Sequence, residues 1–385
     1  MAPVKISLFT PFSPSTGGGG VIFRSILPYL QGAEIRWFYL ANSAADTPSS
    51  TLLGPRVMGG SFANDAVNTL RLFALQNHPK IDRYVRAIRD WSPDIAWVNA
   101  MNEGILVGKK LLDAGIPHLH VSVHDDPAGL AAKSKRYRLL ISLMDRRNTE
   151  LLRRAHTIDV VCDSMRDYYS RRIGVSSEAV YRYIHNLHLP SLAATQDRAA
   201  DDATIHIGHV GSAYSAPEVF AFLTALRSIA ASDGIKFRLT NYGVSPTMTV
   251  AEKEFPDIVK NAGNVPEDEV VRRLQRCAFV YSMYSFNPRH RIFRETSQPT
   301  KMSTYLMAAK PILSHCPDGS SMIDMLSKFN LGLCVTSIEV PPIADAIRRI
   351  LKFQLNRGEA RRAAEYYCGK RNLDYLNASF GLQPK

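Results

Sequence analysis

The sequence predicts an α/β protein built from two successive parallel-sheet units, and three observations carry that prediction. Short apolar runs alternate with amphipathic stretches along most of the 385 residues, the pattern of strands covered on both faces by helices. The alternation stops at Asn186–Ala203, a segment with Pro190 and a small polar tail, and restarts at Thr204. Hydrophobic residues make up 45% and charged residues 21%, enough apolar material for two cores and too much for wholesale disorder.

Taken in order, Val4–Phe9 reads as a strand, Thr10–Gly20 as a turn-rich loop and Val21–Leu30 as a helix. Ile35–Leu40 is a second strand, Asp82–Trp91 a helix, and Ile95–Asn99 a strand after the Pro93-Asp94 break. Gly104–Ala114 is a helix closed by Gly115, Pro117–Val123 a strand, and Lys133–Arg154 a long basic helix. Ile158–Cys162 is a short strand leading into a helix near Ser164. Past the linker, the strands are Thr204–Val210, Phe237–Tyr242, Cys277–Tyr281, Pro311–His315 and Leu331–Val335. Helices are expected at Pro217–Ala230, Val265–Arg276 and Thr300–Ala309, and residues 341–385 read as helix with an Arg-rich face. The expected organisation is an N-terminal domain over 1–190, a second over 191–355, and a helical tail over 356–385.

Global counts narrow the function classes. There are 47 basic and 35 acidic residues, a net charge of +12, which favours an anionic partner without choosing among nucleotide, nucleic acid and acidic lipid. The arginines are spread over Arg71–Arg89, Lys133–Arg154, Arg171-Arg172, Arg289–Arg294 and Arg348–Arg362. No zinc-finger, RRM or helix-turn-helix pattern joins them, so no nucleic-acid partner is expected. No run of about 20 apolar residues is present to span a bilayer, and Met1–Ser7 lacks the apolar core of a signal peptide. A cytoplasmic protein is expected, with peripheral contact to an anionic membrane left open for the basic helices at 133–154 and 341–365. The five cysteines, Cys162, Cys277, Cys316, Cys334 and Cys368, form neither a disulfide framework nor a CxxC knuckle. His118, His120, His124, His185, His188, His206 and His209 fall on strands and the linker without metal-ligand spacing, so no metal is assigned.

Two segments carry candidate chemistry. Thr10–Gly20, with Gly17, Gly18, Gly19 and Gly20, lies between the first strand and first helix. There a glycine loop exposes N–H groups to a phosphate or sugar. It is neither GxGxxG nor a P-loop, since no later glycine or Gly-Lys-Ser/Thr follows in phase. In the second half, Pro299 and Thr300 suit a helix start with Thr300 as cap. The first-turn N–H groups, the Thr300 and Ser303 hydroxyls and the Lys301 amine are expected to converge on a diphosphate.

The run Pro299-Thr300-Lys301-Met302-Ser303-Thr304-Tyr305-Leu306-Met307-Ala308-Ala309-Lys310-Pro311-Ile312 resembles the proline, lysine, tyrosine, small-residue, lysine-proline block of GT-B glycosyltransferases, especially the retaining GT4-like group. The Gly17–Gly20 loop, His124, Asp159–Ser164, Ile207–Gly211 and Gly263–Pro266 agree in order, over about residues 4–355. The resemblance implies a GT-B fold, two Rossmann-like domains facing each other across a cleft. The second holds a nucleoside-diphosphate sugar, the first a glycan or lipid-linked acceptor, and the tail packs back on the first. It implies no cofactor beyond the donor substrate and no metal, protein cations and helix dipoles meeting the diphosphate. His124 then positions the transferred sugar; Asp125 and Asp126 resemble a metal pair only superficially. Catalytic roles fall to His124, Glu295 and Lys301. Donor contacts fall to Gly17–Gly20, His209, Ser212, Tyr242, Asn264, Thr300, Ser303 and Thr304.

Two departures stand out. The family's basic pair after the strand opening the second domain is missing from Gly208–Ser215. Either His209, Ser212 and Lys301 take its load, or the basic loop Arg289, His290, Arg291 and Arg294 does. The family's two glutamates eight positions apart fall at Thr296 and Thr304. The second is absent, and Glu295 replaces the first only with a one-residue shift. The function expected is retaining transfer of a sugar from a nucleoside diphosphate to an acceptor hydroxyl. The alternatives are a non-catalytic or altered nucleotide- or glycan-binding relative and a nucleotide-sugar epimerase.

Overall fold

The computed structural model describes residues 2–15, 17–45, 47–58, 67–133, 141–180, 183 and 204–382; the expected linker lies outside the described residues up to Ala203. The chain divides into two compact units, Met1–Ile184 with Arg289–Ser297 and Tyr367–Lys385, and His185–Pro288 with Gln298–Tyr366. Residues 289–297, read from the sequence as part of the second half, group with the first unit.

The first unit holds strands β1 (Val4–Thr10), β2 (Ala33–Leu40), β3 (Ser50–Gly54), β4 (Ile95–Asn99), β5 (His118–Val123), β6 (Thr157–Val160) and β7 (Glu178–Ala179). They form one parallel sheet in the order β3-β2-β1-β4-β5-β6-β7. Every residue of β4 is buried, as expected of a strand covered on both faces. Its helices are α1 (Gly17–Ile26), α2 (Pro79–Asp90), α3 (Glu103–Asp113), α4 (Pro127–Lys133), α5 (Ile141–Arg154) and α6 (Asp163–Ile173). The buried set of α2, Ile81, Tyr84, Val85 and Ile88, has the spacing of one helical stripe. Pro79 opens it at the position where a missing N–H costs nothing.

Two points differ from the sequence reading. Gly17–Gly20 form the first turn of α1 and not a loop. Of the basic helix expected over Lys133–Arg154, Ile141–Arg154 is helical as α5, and 134–140 lie outside the described residues. Strand β3 carries no strong alternation and escapes a sequence reading; it forms because it pairs with β2, Trp37 to Ser50 through Leu40 to Gly54.

The second unit holds β8 (Thr204–Val210), β9 (Lys236–Tyr242), β10 (Val259–Gly263), β11 (Phe279–Met283), β12 (Ile312–His315) and β13 (Gly332–Val335). Again the sheet is parallel, in the order β10-β9-β8-β11-β12-β13. Helices α7 (Ala216–Asp233), α8 (Pro246–Glu254) and α9 (Glu267–Leu274) precede α10 (Arg291–Thr296), which belongs to the first unit. Then come α11 (Lys301–Ala308), α12 (Ser321–Phe329), α13 (Val340–Ile350), α14 (Arg357–Cys368) and α15 (Lys370–Ser379). The core packs Ile205, Ile207 and Leu239 of the sheet against Val219, Phe222 and Leu226 of α7 and Ile343 and Ile347 of α13. Phe222 stacks on Tyr281 with ring centroids 4.0 Å apart. Leu274 packs onto Gly208 of β8, where a Cβ would meet its Cδ2 at 2.2 Å.

Strand order reverses between β1 and β4 and between β8 and β11. In open parallel sheets ligands bind beyond the carboxyl ends of the strands at such switch points. The last helix, α15, groups with the first unit, where Tyr375 donates to the Ile158 carbonyl at 2.6 Å and Phe380 packs on Trp97.

Part of the positive charge is neutralised locally. Glu150 receives Arg146, Arg147 and Lys109; burial opposes the effect, but these hydrogen bonds pull its pKa down to about 2. Arg361 pairs with Glu365 and Arg362 with Glu359. No helix of the described residues is long and apolar enough to cross a membrane.

Candidate functional site

In the second unit the switch point is framed by the ends of β8 and β11. After Val210 the chain turns at Gly211, φ +71°, whose N–H donates to the Tyr242 carbonyl at 2.7 Å. A Cβ on the neighbouring Gly243 would meet the Gly211 Cα at 3.1 Å, so two glycines let these strand ends close together. Beyond the turn, Tyr214 stacks on Tyr284, which follows β11, with centroids 5.6 Å apart.

Lys301, the first residue of α11, enters this frame. Its Nζ donates to the Ser212 carbonyl at 2.7 Å, lies 3.3 Å from His209 Nε2, and sits 5.2 Å from the Tyr214 ring centre. Burial pulls the Lys301 pKa down to about 7, because a charged amine in low dielectric lacks its water. His209 is fully buried, and burial followed by the Lys301 charge pushes its pKa down to about 3. The neutral imidazole donates from Nδ1 to the Tyr281 carbonyl at 2.9 Å, which leaves Nε2 as the acceptor facing Lys301. Tyr305, one turn along α11, donates to the same carbonyl at 2.8 Å and accepts from the Val210 N–H at 3.1 Å. The amine is thus fixed to the βα turn of the switch point. An amine in this setting can pair with an anion, whose charge would in turn hold the proton.

The other groups expected from this helix start are placed as follows. Thr300 makes no capping bond through its side chain and is itself helical. The N–H groups of Met302 and Ser303 donate to the Pro299 and Thr300 carbonyls, and the Ser303 hydroxyl donates to Thr300 as well. Thr304 donates to Glu267 Oε1 at 3.3 Å. Ser212 is exposed at the turn, and Asn264 is exposed just after Gly263, φ +68°. Tyr242 is buried, and burial raises its pKa to about 12.

In the first unit, the carboxyl ends of β1, β4 and β5 gather a second group. A Cβ on Gly19 would meet the Phe12 ring at 2.6 Å, and one on Gly20 the Pro14 carbonyl oxygen at 2.7 Å. These glycines are therefore small because the preceding turn folds onto them. Phe23, one turn on in α1, lies 4.8 Å from the His124 ring. Burial pulls the His124 pKa down to about 4, and its Nδ1 is buried with no hydrogen-bond partner among the described residues. Gly17–Gly20 and His124, far apart in sequence, are brought together through Phe23.

Two residues of these edges were missed by sequence reasoning. Asn99 ends β4 opposite Ser122 of β5, and both its amide atoms are buried with no partner among the described residues. A lone amide closing an otherwise apolar strand was the available signal. Glu218, in the first turn of α7 and 2% exposed, accepts the Phe286 N–H at 2.6 Å through Oε1.

Glu295 lies on α10 in the first unit, where it pairs with Arg291 at 2.7 Å. The basic loop expected at 287–294 is a 3-10 turn, Pro288–His290, running into α10. It is anchored to the first unit by the Cys162 thiol, 3.1 Å from the Thr296 carbonyl. Arg294 is nearly buried. The Asp125-Asp126 pair is committed to structure. Asp125 accepts the Ser297 hydroxyl, and Asp126 accepts the Gly129 N–H and the Tyr169 hydroxyl. Among the described residues no group of three or more His, Cys, Asp or Glu side chains is placed to hold a metal ion.

No protein-family model matches the sequence, and no curated protein does. Solved structures do. The α,α-trehalose 6-phosphate synthase of Burkholderia multivorans superposes with a TM-score of 0.67 at 13% identity, over 99% of this chain and 97% of that one. The Anabaena protein HepE, solved in complex with UDP and glucose, gives 0.65 at 12% identity over 98% and 99%. A putative UDP-N-acetylglucosamine 2-epimerase of Listeria monocytogenes gives 0.59 at 12% over 98% and 96%. The chain has the GT-B-like fold. At these identities the likeness extends to architecture, two Rossmann-like units whose strand order is doubly wound.

Proposed function

We propose that the chain binds a nucleoside-diphosphate sugar, with the diphosphate held by Lys301 at the switch point of the second unit, and acts on the bond to that sugar. The carrying observation is the buried Lys301 amine bonded to the Ser212 carbonyl and facing a neutral His209. It stands where Rossmann-like units receive phosphate, and the described part of the β8–α7 turn supplies no other Lys or Arg. The GT-B-like neighbours, one solved with UDP and glucose, support the same ligand class.

For the chemistry, we favour transfer of the sugar to an acceptor hydroxyl with retained configuration. The bond from the anomeric carbon to the diphosphate oxygen breaks, and Lys301 stabilises the charge that develops on that oxygen. The acceptor oxygen forms its bond on the departing face, and its proton passes to a phosphate oxygen, so no protein base is consumed. His124, with a pKa near 4, suits hydrogen bonding to the sugar better than proton abstraction. Epimerisation is the second reading, favoured by the epimerase among the structural neighbours.

Incubation with a panel of nucleotide sugars, with and without candidate sugar acceptors, separates these readings. Release of nucleoside diphosphate with a new glycoside of unchanged anomeric configuration supports transfer. An altered sugar still attached to its nucleotide establishes epimerisation instead. Binding without turnover identifies an altered binding relative, and absence of any nucleotide binding refutes the proposal as a whole.

A further inference from the structure

We propose that the first unit docks on acidic phospholipid surfaces through the face formed by the turn Leu70–Leu75 and helix α5. The turn is π-helical, a rare winding that is frequent at functional sites, and its i→i+5 bonding sets Leu70 and Leu75 one turn apart on one side. Val67, Leu70 and Leu75 are 50%, 48% and 64% exposed. The other large apolar side chains exposed among the described residues, Val244, Val250 and Ile338, all lie in the second unit. Fraying does not account for this exposure. Leu72 and Phe73 are buried beneath the turn, Arg147 of α5 donates to the Phe73 carbonyl at 2.8 Å, and Lys109 of α3 donates to the Gln76 side chain. The turn is therefore held from below while its outer side presents aliphatic carbon and Arg71 to solvent.

Beside the turn the surface is cationic. Helices α5 and α6 border an open basin of about 470 Å³ lined by Asp145, Arg146, Thr149, Glu150, Arg153 and Arg172. Both carboxylates are engaged: Asp145 pairs with Arg172, and Glu150 with Arg146, Arg147 and Lys109. Four cations thus share two carboxylates, and Arg153 and Arg71, both exposed, add to the surplus. Arg147 joins the two features, since it bonds both the Phe73 carbonyl of the turn and Glu150 of the basin. Aliphatic side chains beside arginines match the boundary between acyl chains and phosphate headgroups, where guanidinium meets phosphate and the apolar groups leave water. A second copy fits poorly, because a two-fold contact would set one basic surface against another. A protein partner is usually met by exposed aromatic anchors, whereas Phe73, the aromatic residue of this turn, is buried. The docking face is independent of the nucleotide reading above.

The test is sedimentation of the full chain with vesicles of phosphatidylcholine alone or mixed equally with phosphatidylglycerol. The wild type is expected to pellet with the mixed vesicles, less so as salt is raised, and to stay in solution with phosphatidylcholine. Arg71→Gln with Arg153→Gln should weaken binding about fivefold per cation removed. The same charge change at Arg349 and Arg361, exposed on the second unit, should leave it within about twofold. Leu70→Ser with Leu75→Ser keeps every charge and should weaken binding by about tenfold, with a urea melt to show that the variant is folded. Leu75→Trp, which retains the apolar surface, should gain a fluorescence shift to the blue on mixed vesicles that the wild type lacks. Equal losses from the two arginine pairs reveal a generic basic surface and overturn the docking face. Unchanged binding by the folded leucine variant, no blue shift from Leu75→Trp, or a wild type that ignores both vesicles also overturns it. A wild-type dimer that the leucine variant converts to monomer identifies a second copy as the occupant instead.

Discussion

Replacing Lys301 by Met keeps most of the side chain's length and apolar stem while deleting its charge. In the wild type the amine is bonded to Ser212 and buried to the point that its pKa falls to about 7 from 10.5. Only the protonated form binds an anion well. A hydrogen bond to a charged group contributes about 1.5–3 kcal/mol, so the Met variant should bind a nucleoside diphosphate about 10- to 150-fold more weakly at pH 7 or below. The pH dependence is the sharper signature. Above pH 7 the free protein loses the Lys301 proton while a bound diphosphate retains it. The wild-type advantage over Lys301→Met should then fall by up to about tenfold per pH unit. Taking the ratio of wild type to variant removes the ligand's own titration. Stability must run the opposite way. The unfolded lysine keeps its proton to 10.5 and the folded one only to about 7, so between these values the unfolded state binds more protons. Ligand-free wild type therefore gains stability as pH rises through that window, on the order of 1 kcal/mol per unit and fading near its ends. Lys301→Met should lack this increment. Calorimetric titrations and urea melts from pH 6.5 to 9 measure both effects. Equal affinities for wild type and variant across that range, with no difference in stability slope, would refute the placement of a buried ammonium at an anion site.

Two further predictions concern the scaffold. Tyr305→Phe removes the hydroxyl that accepts from Val210 and donates to the Tyr281 carbonyl, leaving a half-buried N–H without its partner; urea unfolding should show a loss of about 1–2 kcal/mol. Gly20→Ala sets a helix-propensity gain of about 1 kcal/mol against a Cβ placed 2.7 Å from the Pro14 carbonyl oxygen. Backbone must move to relieve that contact, so a net loss of roughly 1–2 kcal/mol is expected; an increased melting temperature would show that the turn yields freely.

Much of the fold was legible because its strands are buried on both faces. Ile95–Asn99 and Thr204–Val210 match the structure residue for residue; the first is a short, mostly apolar run between turn residues, which has few other ways to fold. Strand β3 and the two-residue β7 were not legible, because edge strands are specified by their partners. Among the site residues, Lys301 was marked by the Pro-Thr-Lys helix start, and the structure places it beside His209 and Ser212, two of the residues singled out with it. Ser303 looked equally eligible, but its hydroxyl bonds back to the Thr300 carbonyl, and the Thr300 side chain makes no capping bond. Glu267 sits 37 positions from Thr304, and nothing local joins the two.

By itself, the sequence determined most strands and helices, the division into two parallel α/β units and the identity of a lysine at a helix start, all consequences of short-range periodicity and turn chemistry. Tertiary structure alone decided which polar groups remain available once the chain has folded. It spent Asp125 on the Ser297 hydroxyl and Asp126 on the Tyr169 hydroxyl. It sank Lys301 until its pKa approached 7. Hydrogen-bond partners and burial are set by residues distant in sequence, and with them the charge a side chain carries.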